Sequence, residues 1–181
     1  ENVYIGKNAG RDTTTGTKNI AIGPNAMSDG TTTGTQNIAI GCDAGGALTS
    51  GQYNLLFGRD AGKGMTTGSN NMAFGTGSLG GDTDADVTGT HNLAMGNLAA
   101  VKLTSGSYNY MIGGNAGKCL VNGGCNVFMG YYAGKSSTSA CSNVYIGVFA
   151  GQSATTGGCN IAIGQETMNN GALTAGNNIA L

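Results

Sequence analysis

The stretch NIAIGCDAGGALTSGQY, from Asn37 to Tyr53, decides the fold. It holds three apolar residues, Ile38-Ala39-Ile40, closed by Gly41. Two variable residues, an Ala44-Gly45 pair and the segment Leu48-Thr49-Ser50-Gly51 follow. Moving outward, the frame of Asn, three apolar residues and Gly starts at Asn2, Asn19, Asn37, Asn54, Asn71, Asn92, Asn109, Asn126, Asn143 and Asn160, and an eleventh copy opens at Asn178. The intervals are 17, 18, 17, 17, 21, 17, 17, 17, 17 and 18 residues. A fixed period over the whole chain marks a stacked-repeat architecture, in which one unit cannot bury its own apolar face.

Within each unit the first and third apolar residues are large, as in Ile20 and Ile22 or Leu55 and Phe57. Their spacing of two puts both on one face of a short strand. The residue between them is apolar as well: Ala21, Ala39, Leu56, Ala94, Phe128, Tyr145. With the large pair read as facing the interior, the middle residue lies on an outer face. Apolar residues on an outer face call for a partner, most simply identical chains side by side. Glycine about every five residues argues against helix and suits tight corners. Each unit therefore reads as one coil: strand, corner, second short strand around the Thr-rich segment, corner. The expectation is all-β: a parallel β-solenoid (β-roll or β-helix) of about ten 17-residue coils, one array over residues 1–181, in a side-by-side homotrimer. The repeated Asn is read as structural, its stacked amides bonding up and down a ladder. Neither end looks like a cap, so the chain reads as an excerpt of a longer fibre chain.

Composition narrows the function classes. Of 181 residues 35 are Gly, only 9% are charged, and Trp is absent. Without a G-x-y triplet period this is not collagen. No apolar run approaches the roughly 20 residues of a membrane helix, so membrane insertion is not expected. The net charge of -1 offers no basic face, so no nucleic-acid partner is expected.

The unit Asn-Ile-Ala-Ile-Gly-x-x-Ala, as at Asn19 to Ala26 and Asn37 to Ala44, resembles the head repeats of trimeric autotransporter adhesins. It is similar also to repeat regions of bacteriophage tail fibres, where Ala-Ile-Gly-x-x-Ala-Gly units recur in series. The Ala-Gly and Thr-Thr-Gly recurrences favour the phage fibre, and the 17-residue period departs from the commonly shorter adhesin repeat. The resemblance implies a homotrimer of parallel solenoids on a virion tail fibre, or on a bacterial surface or outside a cell, with a structural or host-attaching role. It brings no catalytic residue. The alternatives are a bacterial surface adhesin, a carbohydrate-active solenoid enzyme and an ice-binding protein.

Breaks in the repeat are where function would sit. The 21-residue unit carries Asp82, Asp84 and Asp86, whose alternate spacing suggests either a solvated loop or a Ca²⁺ site, the one cofactor considered. The five cysteines are Cys42, Cys119, Cys125, Cys141 and Cys159; buried free thiols and a Cys125–Cys141 or Cys141–Cys159 disulfide are both open readings. His91, the only histidine, reads as a surface structural residue. Asp43 and Asp60 share a repeat position, the only carboxylate pair an enzyme reading could use. Paired threonines such as Thr13 with Thr15 and Thr31 with Thr33 carry the ice-binding reading, but Leu48, Met65 and Leu103 break the file. Arg11, Lys63, Lys118 and Lys135 each fall nine residues after their Asn and form a cationic file. That file reads as a solvated edge or, with Tyr131 and Tyr132, as the candidate contact for a cell-surface glycan or receptor; Tyr131, Tyr132 and Phe149 are read first as packing between chains.

Overall fold

A computed structural model describes residues 1–82, 86–171 and 174–181. Eleven strands are described: β1 (Val3–Ile5), β2 (Ile20–Ile22), β3 (Ile38–Ile40), β4 (Leu55–Phe57), β5 (Met72–Phe74), β6 (Leu93–Met95), β7 (Tyr110–Ile112), β8 (Val127–Met129), β9 (Val144–Ile146), β10 (Ile161–Ile163) and β11 (Ile179–Ala180). They form a single sheet in chain order. Every neighbouring pair is parallel and aligned position for position, so Ala21 lies over Ala39 and Phe57 over Phe74. The chain is thus a β-solenoid with one strand per coil. Ten inter-strand steps of ~4.8 Å make it about 50 Å long.

Strand length is set at both ends. Each strand from β2 to β10 follows a buried Asn and stops at a glycine with φ between 122° and 140°, a conformation closed to other residues. At Gly58 an added Cβ would sit 2.7 Å from the carbonyl carbon of Gly75 on the next coil. After that glycine the chain runs through successive tight turns. In the third coil the N–H groups of Ala44, Gly46 and Leu48 donate to the carbonyls of Gly41, Asp43 and Gly45. Asp43 and Gly45 hold φ of 55° and 58°, the third-residue requirement of type II turns.

Two expectations are corrected. No second strand forms around the Thr-rich segment: among the described residues that side shows isolated bridge residues, with Thr13 paired to Thr32 and Met65 to Val87, and no ladder. The physical reason lies in the hydrogen bonds. A single carbonyl takes both available donors, as Thr104 O accepts from the N–H of Thr88 and of Gly89, which turns the chain and prevents a ladder. The second correction reverses the faces of the sheet. The middle residue of each strand from β2 to β10 is fully buried, and the two flanking residues point outward. Ala39 and Ala94 are therefore core, and not an intermolecular face.

The cross-section of a coil explains the reversal. The interior must hold the middle strand residue, the alanine of the first turn, the residue after that alanine, and one residue of the Thr-rich segment such as Leu48, Met65 or Leu120. Little space remains, and two of these positions share it reciprocally. Where the middle residue is Tyr4, Leu56, Met111, Phe128 or Tyr145, the residue six later is Gly10, Gly62, Gly117, Gly134 or Gly151. Where the middle residue is Ala21 or Ala73, the later one is Met27 or Leu79, both fully buried. The exclusion is direct: a Cβ on Gly62 would lie 2.8 Å from Leu56, and one on Gly134 2.6 Å from the Phe128 ring. Interiors are packed to near-crystal density, so these coils exchange where the bulk comes from. The third coil, where Ala39 and Gly45 are both small, is filled by Met27 and Leu56 of its neighbours: a Cβ on Gly45 would lie 2.9 Å from Leu56.

Phe128 and Tyr145 stack face to face along the axis, centroids 5.0 Å apart at 5°. The Tyr145 hydroxyl is buried without a hydrogen-bond partner, whereas Tyr4 donates to the Thr13 hydroxyl at 2.9 Å. Ala154 stands where Thr13 stands in the first coil and has no acceptor to offer. Burial pushes the Tyr145 phenol above its ordinary value.

Two predictions follow from this interior. Ala73→Leu alone overfills its coil at a cost of about 1–3 kcal/mol. Leu79→Gly alone empties it at a cost of about 2–5 kcal/mol. The double variant copies the Leu56/Gly62 coil next door and melts closer to the unaltered protein than either single; melting losses that simply add would refute reciprocal filling. Tyr145→Phe removes an unpartnered buried hydroxyl and raises stability by about 1 kcal/mol at neutral pH. Because folding raises this phenol's pKa, the folded chain keeps a proton that the unfolded chain releases near pH ~10. The stability from that proton is present below pH ~10 and lost above it, so the Phe variant shows a smaller alkaline drop in Tm.

Candidate functional site

The repeated asparagines stand at one corner of every coil, and from Asn19 to Asn160 they are buried. Asn109 shows their role. Its Oδ1 accepts from the backbone N–H of Asn126 at 3.1 Å and from the Asn126 Nδ2 at 2.9 Å. Its own Nδ2 donates to the Gly123 carbonyl at 2.9 Å, closing the coil. The same links run from Asn2 to Asn19 and on to Asn178. The 21-residue unit does not interrupt them: the N–H of Asn92 donates to Asn71 Oδ1, and Asn71 Nδ2 donates to Gly89 O, each at 2.9 Å. These residues are structural in geometry, with no side-chain atom left for a ligand.

The outward face of the sheet has a different character. Its two files, the first and third residues of each strand, contain Ile, Val, Leu, Met, Phe and Tyr and no charged residue from Val3 to Leu181. Ile5 is 57% exposed, Tyr110 51% and Ile163 42%. The files run the ~50 Å of the rod. Exposed residues preceding each Asn form one rim; there His91 stacks on Tyr108 with centroids 4.9 Å apart. Beside them Asn70, Met72, His91, Asn92, Leu93 and Tyr110 line a shallow recess of about 170 Å³. A strip of this extent exceeds the few hundred Å² that a monomer ordinarily leaves apolar.

The cationic file divides into two parts. Arg11 pairs with Asp12 at 3.2 Å and Asp29 at 3.4 Å, and its guanidinium is held above its ordinary pKa by the Asp12 hydrogen bond. Lys63 lies 3.6 Å from Asp60, which Arg59 also contacts at 2.8 Å. Lys135 instead sits over the Tyr132 ring, 4.6 Å from its centre, and Lys118 occupies the equivalent place one coil earlier. Tyr131 meets Tyr132 edge-on at 4.3 Å and Phe149 edge-on at 5.8 Å, while Tyr132 and Phe149 stack at 5.8 Å. Tyr132 and Phe149 hold φ of 59° and 61°, a backbone conformation that other coils give to Asn25, Asp43 or Asn115. Bulky aromatic residues adopt it only under strain.

The remaining candidates stay apart from these surfaces. Asp82 and Asp86 are exposed, Asp84 lies outside the described residues, and among the described residues no three His, Cys, Asp or Glu side chains converge on a metal position. All five cysteines are free thiols; Cys125, Cys141 and Cys159 are exposed and Cys42 and Cys119 half-buried, which corrects the expectation of buried thiols. Cys42 Sγ lies 3.1 Å from Asp43 Oδ2, and that hydrogen bond raises its pKa, holding it in the unreactive thiol form. Asp43 and Asp60 are thereby engaged with different partners, the thiol and two cations. Thr31 and Thr33 are exposed, as is Thr15, with Thr13 half-buried; Thr32 between the first two is buried with its hydroxyl on the Leu48 carbonyl.

No family model, curated protein or solved structure matches this chain.

Sequence reasoning missed that the large strand pair is the exposed one, and how the rings of Tyr131, Tyr132 and Phe149, grouped at one corner, pack on one another. The reciprocal sizes six residues apart were a readable signal for the first. The second depends on three-dimensional neighbours.

Asn109→Ala strands the Gly123 carbonyl and the Asn126 N–H in the interior. At about 1–3 kcal/mol for each buried unsatisfied group, the expected loss is at least about 2 kcal/mol. Scanning calorimetry should show a Tm lower by about 4 °C or more; an unchanged Tm would refute a stabilising ladder.

Proposed function

We propose that this chain is a non-catalytic structural segment of a phage tail fibre, a stiff rod that serves as shaft or host-attachment region and works as a side-by-side homotrimer. The observation that carries this reading is the uncharged apolar strip along the whole outer face of the sheet. Such a strip demands cover. At about 50 Å by ~15 Å it offers roughly 750 Å² per chain, of the order of the ~800 Å² that one partner contributes to a stable complex, and a trimer divides it between two neighbours, about 375 Å² to each. Three parallel copies around a common axis would set the first strand residue of one chain against the third of the next. Because every chain has the same rise per coil, such contacts repeat in register along the rod, and a three-fold rotation closes the ring. The choice of three over two rests on the likeness of the repeat to trimeric fibre and adhesin repeats. The mechanism is mechanical: continuous backbone ladders and the Asn file give a rod that resists bending and proteolysis and holds a binding surface away from the virion.

Sedimentation equilibrium provides the test. The unaltered protein should sediment at about three times the 17.9 kDa chain mass. Ile112→Asp combined with Val144→Asp, both outward-facing, should yield folded single chains. A monomer from the unaltered protein, or a trimer that survives both substitutions, would sink the proposal.

A further inference from the structure

The corner of the later coils has features that neither the strip nor the ladder requires. Eight of the nine acidic residues lie at or before Asp86, and none occurs from Val87 to Gln165. The same span holds Lys102, Lys118 and Lys135. In the first half Arg11, Arg59 and Lys63 lie in local ion pairs; the later span has no carboxylate side chain with which to form them. Lys118, Lys135 and Gln152 hold one repeat position on consecutive coils, about 4.8 Å apart. Next to them stand the three aromatic rings. Tyr131 is 48% exposed and lies against Gly114, where an added Cβ would come 3.2 Å from the ring. Lacking a side chain there, the preceding coil leaves one face of the ring supported by backbone. Tyr132 and Phe149, nearly perpendicular to Tyr131, wall one side of it. The Lys135 ammonium and the Tyr131 ring flank Tyr132 at 4.6 and 4.3 Å.

We propose that Tyr131, Tyr132, Phe149 and Lys135, with Lys118 beside them, bind an acidic saccharide of the uronic acid type. A pyranose lays its apolar C–H face on Tyr131, and its carboxylate reaches the Lys135 ammonium. The pieces match chemically: an exposed flat ring takes the C–H face, and a cation near low-polarity rings is favoured for a carboxylate because less water screens it. A nucleic-acid strand is less suited, since three lysines across this span neutralise few phosphates. The inference deepens the host-attachment reading and rests on it for its biological setting, while the geometry belongs to the single chain.

Calorimetric titration with trigalacturonate, against neutral maltotriose and a short oligothymidylate, tests this. Saturable trigalacturonate binding is expected, weakening severalfold as salt is raised. Tyr131→Ala should weaken it by at least about tenfold, Lys135→Gln severalfold, and Lys63→Gln not at all. In the unaltered protein, amide shifts on titration should cluster at 114–118, 131–135 and 148–152, a readout independent of any variant. No saturation in the millimolar range, equal binding of maltotriose, tighter binding of the oligothymidylate, or shifts centred elsewhere would overturn the proposal. Sedimentation of the same samples separates the two readings: binding lost with mass unchanged marks the saccharide site, and mass lost with binding retained marks the assembly.

Discussion

Everything in this molecule depends on the asparagine at the corner of each coil. A parallel stack of short coils leaves a backbone N–H facing along the axis at every corner, too deep for water to satisfy. The Asn side chain answers with an acceptor for the next coil, while its amide donates to the carbonyl that ends its own coil. No other side chain of that length presents both functions in opposite directions without a charge. The ladder therefore fixes both the register between coils and the closure of each. The 21-residue unit passes through it with the same bond lengths. Extra residues are tolerated between corners, not at them.

Given that register, like positions stack on like, and the interior becomes a set of columns. A column of large side chains on both sides of a narrow coil would not fit. The chain solves this in most units by trading bulk between the middle of the strand and the residue six later, as Phe128 with Gly134 and Ala73 with Leu79 show. Such trading needs a backbone that accepts either glycine or a side chain at φ near 60°. Leu79 at 56° demonstrates that it does, at some cost. Core packing and turn geometry are thus one constraint.

With the middle residue inside, the large flanking pair has nowhere to go but out. That outcome produces the apolar strip, and with it the pressure toward association. The corner beyond the strip is freer, because turns at the surface accept any residue the backbone tolerates. Charge and aromatic content vary there from coil to coil, and there the acidic first half gives way to a lysine-bearing span, Val87 to Gln165, without a carboxylate side chain. The rod and its decoration are physically separable, which lets a repetitive scaffold carry local recognition.

Reading the residues alone gave the period, the parallel stacking, the three-residue strand that opens each unit, the corners and the Asn ladder, because each rests on local chemistry repeated in phase: a three-residue apolar run, a glycine stop, an amide at a corner. The sign of the sheet was not available that way. Alternation distinguishes two faces but cannot say which is inside when both are apolar, and size alone suggested the wrong one. Only the tertiary structure decided it, because the narrow interior admits one strand residue per coil opposite the turn. It also decided that the Thr-rich segment is a turn, since a single carbonyl there collects two donors. And it decided that Tyr131, Tyr132, Phe149 and Lys135 meet, since coil stacking brings together residues about 17 positions apart.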